Sequence, residues 1–260
     1  MEITDLTENH HQAYFCCLEE WSDEMKEAGN HKELWYQKIK EKGLRVKLAV
    51  KDEKVLGMIQ YLPAEFSMIE GTNIYFISCI WVHGYKQGVG KHQKKGIGKA
   101  LLLAAEEDVV SKNTDGLAAW GVSMPFWMKA SWFRKQGYKK VDKNGMAVLV
   151  FKPFKENVPP PKWIKEKNKP GEIPGKVSVT VFINGWCPAQ NLVYERTKRA
   201  VKEYEDLIVF NKVNTFDRAA LEEWGRSDGL FIDGKQIRTG PPPSYEKIKK
   251  KIEKRVKKLK

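Results

Sequence analysis

The chain has 260 residues, 42% of them apolar, and carries a formal net charge of +13. That length allows two small domains with buried cores, and the charge suits a polyanionic partner, whether nucleic acid, an acidic membrane surface or a polyanionic cofactor. No run of about 18 apolar residues predicts a membrane-spanning helix, and the start, Met1-Glu2-Ile3-Thr4-Asp5, lacks the basic opening and apolar run of a signal peptide.

In chain order, residues 2–5 predict a short strand. Residues 8–28 predict a helix, with Phe15, Leu18, Trp21 and Met25 at helical spacing. A second helix is expected over 31–42. Arg45 to Val50 and Val55 to Leu62 predict two strands joined by a turn at Asp52-Glu53. Residues 73–82, rich in Ile, Tyr, Phe and Val, give the strongest strand signal. Residues 97–112 predict a helix with Ile97, Leu101, Ala104, Ala105 and Val109 inward. Leu117 to Val122 predicts a strand, and 126–136 a helix ending at Gly137. Residues 138–152 predict a hairpin around Asn144-Gly145.

Prolines at 153, 159, 160, 161, 170 and 174 break both helix and sheet, so residues 154–176 are expected to link two domains, 1–153 and 177–260. The second domain predicts a strand at Val177–Ile183, a helix at Pro188–Tyr204, a strand at Leu207–Val213 and a helix at 216–225. A hairpin follows around Asp233-Gly234, then a helix from Ser244, giving the order βαβαββα. The expected fold class is α/β (α+β).

Cys16, Cys17, Cys79 and Cys187 show neither metal-ligand spacing nor a disulfide framework, so no metal is expected and the cytoplasm is the expected compartment. Charge is uneven: residues 1–155 hold 23 Lys/Arg against 19 Asp/Glu, and 156–260 hold 23 against 14. Much of the excess lies in the last helix, whose lysines surround a stripe of Tyr245, Ile248, Ile252, Val256 and Leu259, as on a solvated surface helix. No aromatics are interleaved there for base stacking, so nucleic acid is not the expected partner. A homodimer is left open.

The chemistry concentrates after Ile80-Trp81-Val82. A strand delivers the chain to a loop, then to Gln93-Lys94-Lys95-Gly96-Ile97-Gly98, where a helix begins. A helix N-terminus offers unpaired N–H groups and partial positive charge, and glycine lets an anion approach the backbone. Lys94, Lys95 and Lys99 add charge around this turn. A dinucleotide-binding G-x-G-x-x-G should follow the first strand and precede an acidic ribose partner, which is missing here. A P-loop needs Ser or Thr after Gly-Lys, but Gly90-Lys91 is followed by His92.

The remaining pattern is Q/R-x-x-G-x-G/A. Residues Gln93 to Leu102 resemble the central motif of the GNAT N-acetyltransferases, and Ala130-Ser131-Trp132-Phe133-Arg134-Lys135-Gln136-Gly137-Tyr138 resembles the family's second motif. The resemblance covers roughly residues 1–153. It implies a mixed sheet, flanked by helices, that splays open between its fourth and fifth strands. The pantetheine arm of acetyl-CoA then lies in the gap, against backbone groups of Ile80 and Val82. The pyrophosphate lies on the N–H groups of Gln93, Lys94, Lys95, Gly96, Ile97 and Gly98, with Lys99 beside them. The implied reaction transfers acetyl directly to a small-molecule or peptide amine, with an oxyanion donor near Val82.

Two positions depart from the family pattern. Phe133 stands where a tyrosine often protonates the leaving thiolate, and Trp127 where an asparagine is frequent. The strand 74–82 offers no acid as general base, which leaves Tyr75, Ser78 and Glu70 as the polar candidates. The loop His83–His92, longer than is usual in the family, offers Lys86 and Lys91 either to the adenosine phosphates or to solvent. Trp81, Trp120, Phe126, Trp127 and Trp132 would line an acceptor pocket for apolar amines, or pack the core.

In the second domain, Gly185-Trp186-Cys187-Pro188-Ala189-Gln190 is similar to the start of the thioredoxin-like redox motif, and the arrangement resembles a YoaP-like domain following a GNAT domain. At a helix N-terminus Cys187 should favour thiolate. Gln190 replaces the second cysteine, so no internal disulfide forms. Cys187 is then either a nucleophilic monothiol or a remnant in a binding fold. The alternative to an acetyltransferase is an acyl-CoA-binding protein whose second domain works through Cys187.

Overall fold

The computed structural model describes residues 1–123 and 128–259. In chain order the elements are β1 (Glu2–Asp5), α1 (His11–Phe15), α2 (Asp23–Glu27), α3 (His31–Ile39), β2 (Arg45–Lys51) and β3 (Lys54–Pro63). Then come β4 (Ile69–Glu70), β5 (Ile74–Val82), α4 (Ile97–Ser111), β6 (Gly116–Val122), α5 (Ala130–Lys135), β7 (Lys139–Asn144), β8 (Ala147–Pro153) and β9 (Lys162–Trp163). The chain finishes with β10 (Val177–Ile183), α6 (Pro188–Lys202), β11 (Ile208–Asn214), α7 (Arg218–Trp224), β12 (Gly229–Ile232), β13 (Lys235–Ile237) and α8 (Tyr245–Val256).

These elements form two compact units, Met1–Trp21 with Gln37–Ile164, and residues 22–36 with 165–259. In the first, seven strands run in the order β1-β2-β3-β5-β6-β8-β7, antiparallel throughout except between β5 and β6. β5 is central and flanked by packed elements, which is why its sequence is an almost unbroken apolar run. Ile97, Leu101, Leu102, Ala105 and Val109 form the buried stripe of α4 and pack on Ile59, Tyr61, Ile77, Leu117 and Ala119 of the sheet. Gly57 brings helix and sheet close. A Cβ built there would meet Ile97 Cγ2 and Leu101 Cδ1 at 3.1 Å. Only the missing side chain lets the first turn of α4 rest on β3 beside the end of β5.

The second unit has a four-stranded sheet, β11-β10-β12-β13, with β10 and β11 parallel and β12 antiparallel to β10. Its βαβαββα order agrees with the order expected from the sequence. Val177, Val179, Val181 and Ile183 pack with Val193, Ala200, Ile248 and Ile252 in its core. Ser244 caps α8, its hydroxyl accepting from the Lys247 N–H.

Three sequence expectations are corrected. The helix over 8–28 is broken: Cys17 and Leu18 lie at φ +50° and +65°, outside right-handed helix, and the segment holds only a 3-10 turn at 8–10 and short α-helices at 11–15 and 23–27. Its apparent periodicity merges residues that serve different cores, because the chain before Trp21 belongs to one unit and residues 22–36 to the other. The proline-rich segment is not all linker, since β9 pairs with β4 and buries Trp163 and Ile164 in the first unit. There the Trp163 N–H donates to Asp142 Oδ2 at 2.9 Å. The helix expected over 126–136 is observed from Ala130 to Lys135, and its expected start lies outside the described residues.

Candidate functional site

β5 and β6 pair only from Ile74–Ile77 to Gly116–Ala119. Beyond that point β5 continues to Val82 and β6 to Val122 without pairing, so the sheet opens as a wedge between its fourth and fifth strands. A bulge opposite Gln60 and Tyr61 places Ser78 as the extra residue at the wedge's apex. There the indole N–H of Trp120, reaching across from β6, donates to the Ser78 carbonyl at 2.9 Å and closes the floor.

Strand alternation fixes which backbone groups face the opening. The His83 N–H donates to Leu56 O on β3 at 2.9 Å, so Trp81, two residues earlier, also turns its backbone groups to β3. Ile80 and Val82 therefore turn theirs to the wedge. The Val82 carbonyl accepts from Gln93 Nε2 at 3.2 Å, which ties the end of β5 to the turn before α4.

Gly96 is the N-cap of α4, at φ +82°, ψ −10°. The first helical bond runs from the Ala100 N–H to Gly96 O, so the N–H groups of Ile97, Gly98 and Lys99 have no carbonyl within the helix. Among the described residues, a Cβ built on Gly96 meets no atom beyond its own chain neighbours within 4 Å, so the approach to the turn is open there. Lys94, Lys95 and Lys99 are exposed around the turn, and no Asp or Glu occurs from Gly71 through Ala105. Val82 and Trp132 flank it: a Cβ on Gly98 would lie 3.8 Å from Val82 Cγ2 and 3.5 Å from Trp132 Cζ2. Free donors, fixed positive charge and an unfilled approach fit a pyrophosphate.

The long loop after β5 is tied down. Since a carbonyl only accepts, His83 donates through Nδ1 to Gly90 O at 2.7 Å, and its Nε2 is left to accept from Trp21 Nε1 at 3.5 Å. The His92 N–H donates to His83 O at 2.9 Å, and His92 Nε2 donates to Val89 O at 2.8 Å. Lys86 and Lys91 lie on this anchored loop and are both exposed.

Ser78 is buried in a network in which Tyr14 donates to Gln60 Oε1 at 2.8 Å and Gln60 Nε2 donates to Ser78 Oγ at 3.0 Å. Tyr75 stands at the other end of β5, about 24 Å along the strand from Val82 at ~3.4 Å per residue. Its ring packs on Tyr61 at 6.0 Å, and the Tyr61 hydroxyl donates to Asp108 Oδ2 at 2.8 Å. Burial pushes both tyrosine hydroxyls up. Burial also pushes the Asp108 carboxyl up, but hydrogen bonds from Arg45 and Tyr61 and the charge of Arg45 outweigh it and hold Asp108 below the usual carboxylate value. Glu70 lies in β4, opposite Lys162. Phe133 is fully buried, edge-on to Trp132 and Tyr138. Phe126 and Trp127 lie outside the described residues.

Cys187 belongs to the second unit, at the N-cap of α6, and its N–H donates to Asn184 Oδ1 at 3.1 Å. Behind Asn184, Asp228 accepts from Ser227 Oγ at 2.8 Å. Loss of solvent holds the Asp228 carboxyl above its ordinary value, against the pull of Ser227, Arg226 and Asn184. The structure thus brings Ile80, Val82 and Gln93 to Lys99 together, and leaves Tyr75 apart from them.

A sequence model of the acetyltransferase (GNAT) family matches residues 5–138. The chain belongs to that family. It is an acetyltransferase, with acetyl-CoA as co-substrate. Among solved structures, a Pyrococcus horikoshii protein is 23% identical, with a TM-score of 0.43 over 59% of this chain and 98% of its own. The PaiA N-acetyltransferase of Thermoplasma acidophilum, in complex with coenzyme A, is 17% identical, with a TM-score of 0.40 over 59% and 98%. The aminoglycoside 6'-N-acetyltransferase of Enterococcus faecium is 14% identical, with a TM-score of 0.42 over 59% and 97%. No curated protein matches the sequence.

Two contributors escaped sequence reasoning. Gly57 seats α4, and its signal was an isolated glycine inside a strand. The His83–Trp21 contact pins the loop, but its partners stand 62 positions apart and carry no local signal.

Proposed function

We propose that this acetyltransferase moves the acetyl group of acetyl-CoA to a small-molecule or peptide amine by direct attack in a ternary complex. The carrying observation is the turn at Gly96, where free N–H groups, lysines and open space meet beside the wedge. Backbone groups of Ile80 and Val82 hold the pantetheine arm, and the N–H groups of the turn from Gln93 to Gly98, with Lys99, hold the pyrophosphate. Bound acetyl-CoA supplies an activated thioester: a C–N bond forms, the C–S bond breaks, and the nitrogen loses one proton as the thiolate leaves. The Val82 N–H, turned to the wedge, is placed to stabilise the carbonyl oxygen as it becomes negative. Phe133 donates no proton, so the thiolate leaves unaided or is protonated by water. The same reading takes the enzyme as cytoplasmic, supported by cysteines that form no disulfide with one another.

The second unit is read as a thioredoxin-like, YoaP-type binding domain, supported by its βαβαββα order and by Trp186-Cys187-Pro188 at the start of α6. Calorimetric titration with acetyl-CoA tests the reading. Binding at micromolar concentration is expected, and no binding at high micromolar concentration sinks it. Initial rates with both substrates varied should give intersecting lines; parallel lines would exclude direct attack.

A further inference from the structure

The pantetheine arm and the pyrophosphate belong to one molecule. A cofactor held by both therefore requires the end of β5 and the turn at Gly96 at a fixed separation. The chain that joins them, His83 to His92, holds glycines at 84, 88 and 90. Gly88 and Gly90 lie at φ +57° and +83°. A stretch so rich in glycine has many conformations to lose and fixes no separation by itself.

Three bonds fold this loop back onto its own root. Gln93 Nε2 donates to Val82 O at 3.2 Å, the His92 N–H donates to His83 O at 2.9 Å, and His83 Nδ1 donates to Gly90 O at 2.7 Å. Two of the three end on His83, which is itself held firmly. Its N–H donates to Leu56 O of β3 at 2.9 Å, its Nε2 accepts from the Trp21 indole N–H at 3.5 Å, and the residue is fully buried. The glycines make room for the arrangement. A Cβ on Gly88 would lie 2.6 Å from Trp21 Cδ1 and 3.3 Å from His83 Nε2, and one on Gly84 would lie 2.7 Å from Gln93 Cδ. A side chain at Gly88 would push the loop off the imidazole, and one at Gly84 would push the Gln93 amide off Val82.

Resting on the cofactor reading above, we infer that His83 is a positioning residue of the acetyl-CoA site. It acts through the loop and not by contact with substrate. It holds Gly90 and His92, and through them the turn from Gln93 to Gly98, at the distance from β5 that one cofactor molecule spans. The Nδ1 hydrogen bond carries the role; the volume of the ring does not.

Two substitutions separate that bond from packing. In His83→Asn the amide nitrogen takes the place of Nδ1 and keeps a donor for Gly90 O. In His83→Gln the amide lies one bond farther out, near the place of Nε2, and that donor is lost. Both remove a buried ring, so both should lower Tm alike. Calorimetric titration with acetyl-CoA should show Kd raised about tenfold in His83→Gln and within about twofold of the parent in His83→Asn. Equal loss of affinity in the two variants, or no loss in either, overturns the inference. Should a His83 variant fail to fold, Gly88→Ala on the exposed loop decides: the same rise in Kd supports the inference, and an unchanged Kd overturns it. Failure of acetyl-CoA to bind the parent protein would instead overturn the cofactor reading.

Discussion

Replacing Gly96 by alanine separates the conformational role of the turn from its binding role. At φ +82° an L-residue pays about 1–2 kcal/mol relative to glycine. Among the described residues the added Cβ meets no atom beyond its chain neighbours within 4 Å, so no clash adds to that strain and no contact offsets it. For a unit of about 150 residues, 1–2 kcal/mol lowers Tm by roughly 2–8 °C. The same methyl fills the space over the free N–H groups of Ile97 and Gly98. Losing one charge-assisted bond to phosphate there costs about 1.5–3 kcal/mol, or roughly 10- to 150-fold in Kd for acetyl-CoA. Calorimetry measures both: scanning for Tm and titration for Kd. Asparagine, which tolerates the left-handed region, should cost less Tm than alanine. An alanine variant that loses Tm as stated but binds acetyl-CoA as tightly as the parent would refute the assignment of this turn to the cofactor.

Replacing Lys94, Lys95 and Lys99 together by alanine should raise the Kd for acetyl-CoA about tenfold, leave kcat unchanged and flatten the dependence of Kd on salt, as read by titration at two ionic strengths. Gly57→Ala pushes a methyl to 3.1 Å from Ile97 and Leu101, and should cost about 1–3 kcal/mol in urea denaturation and weaken acetyl-CoA binding by tilting the first turn of α4. Asp108 is held below the usual carboxylate value, so its stabilisation is complete above about pH 4 and is lost as the pH falls through the lower folded value. Asp108→Asn should therefore lower Tm at pH 7 and converge with the parent at strongly acid pH. Glu27 accepts from Arg196 at 2.8 Å, where the arginine side chain is 8% exposed; Glu27→Ala should cost about 2 kcal/mol in denaturation of the second unit without changing the acetyl-CoA Kd.

The sequence by itself determined the main strands and helices from Arg45 to Pro153 and from Val177 onward, the hairpin at Asp52-Glu53, the start of α4 at Gly96 and the positive charge of the turn. Each of these is written within a few consecutive residues, through apolar period, left-handed glycine and local charge. Tertiary structure alone decided what surrounds that turn. The wedge depends on β5 and β6 ceasing to pair after Ile77 and Ala119, and the seat of α4 depends on Gly57, forty residues before it. The break at Cys17 and Leu18, and the transfer of residues 22–36 to the second unit, follow from burial against chain far away: Arg196 meeting Glu24 and Glu27, and Trp35 meeting Gly185. The anchor of the loop likewise joins Trp21 to His83, 62 positions later. Local conformational preference spans a turn or two of chain, whereas long-range contacts are fixed only when the whole core is packed, and no short stretch of sequence carries that information.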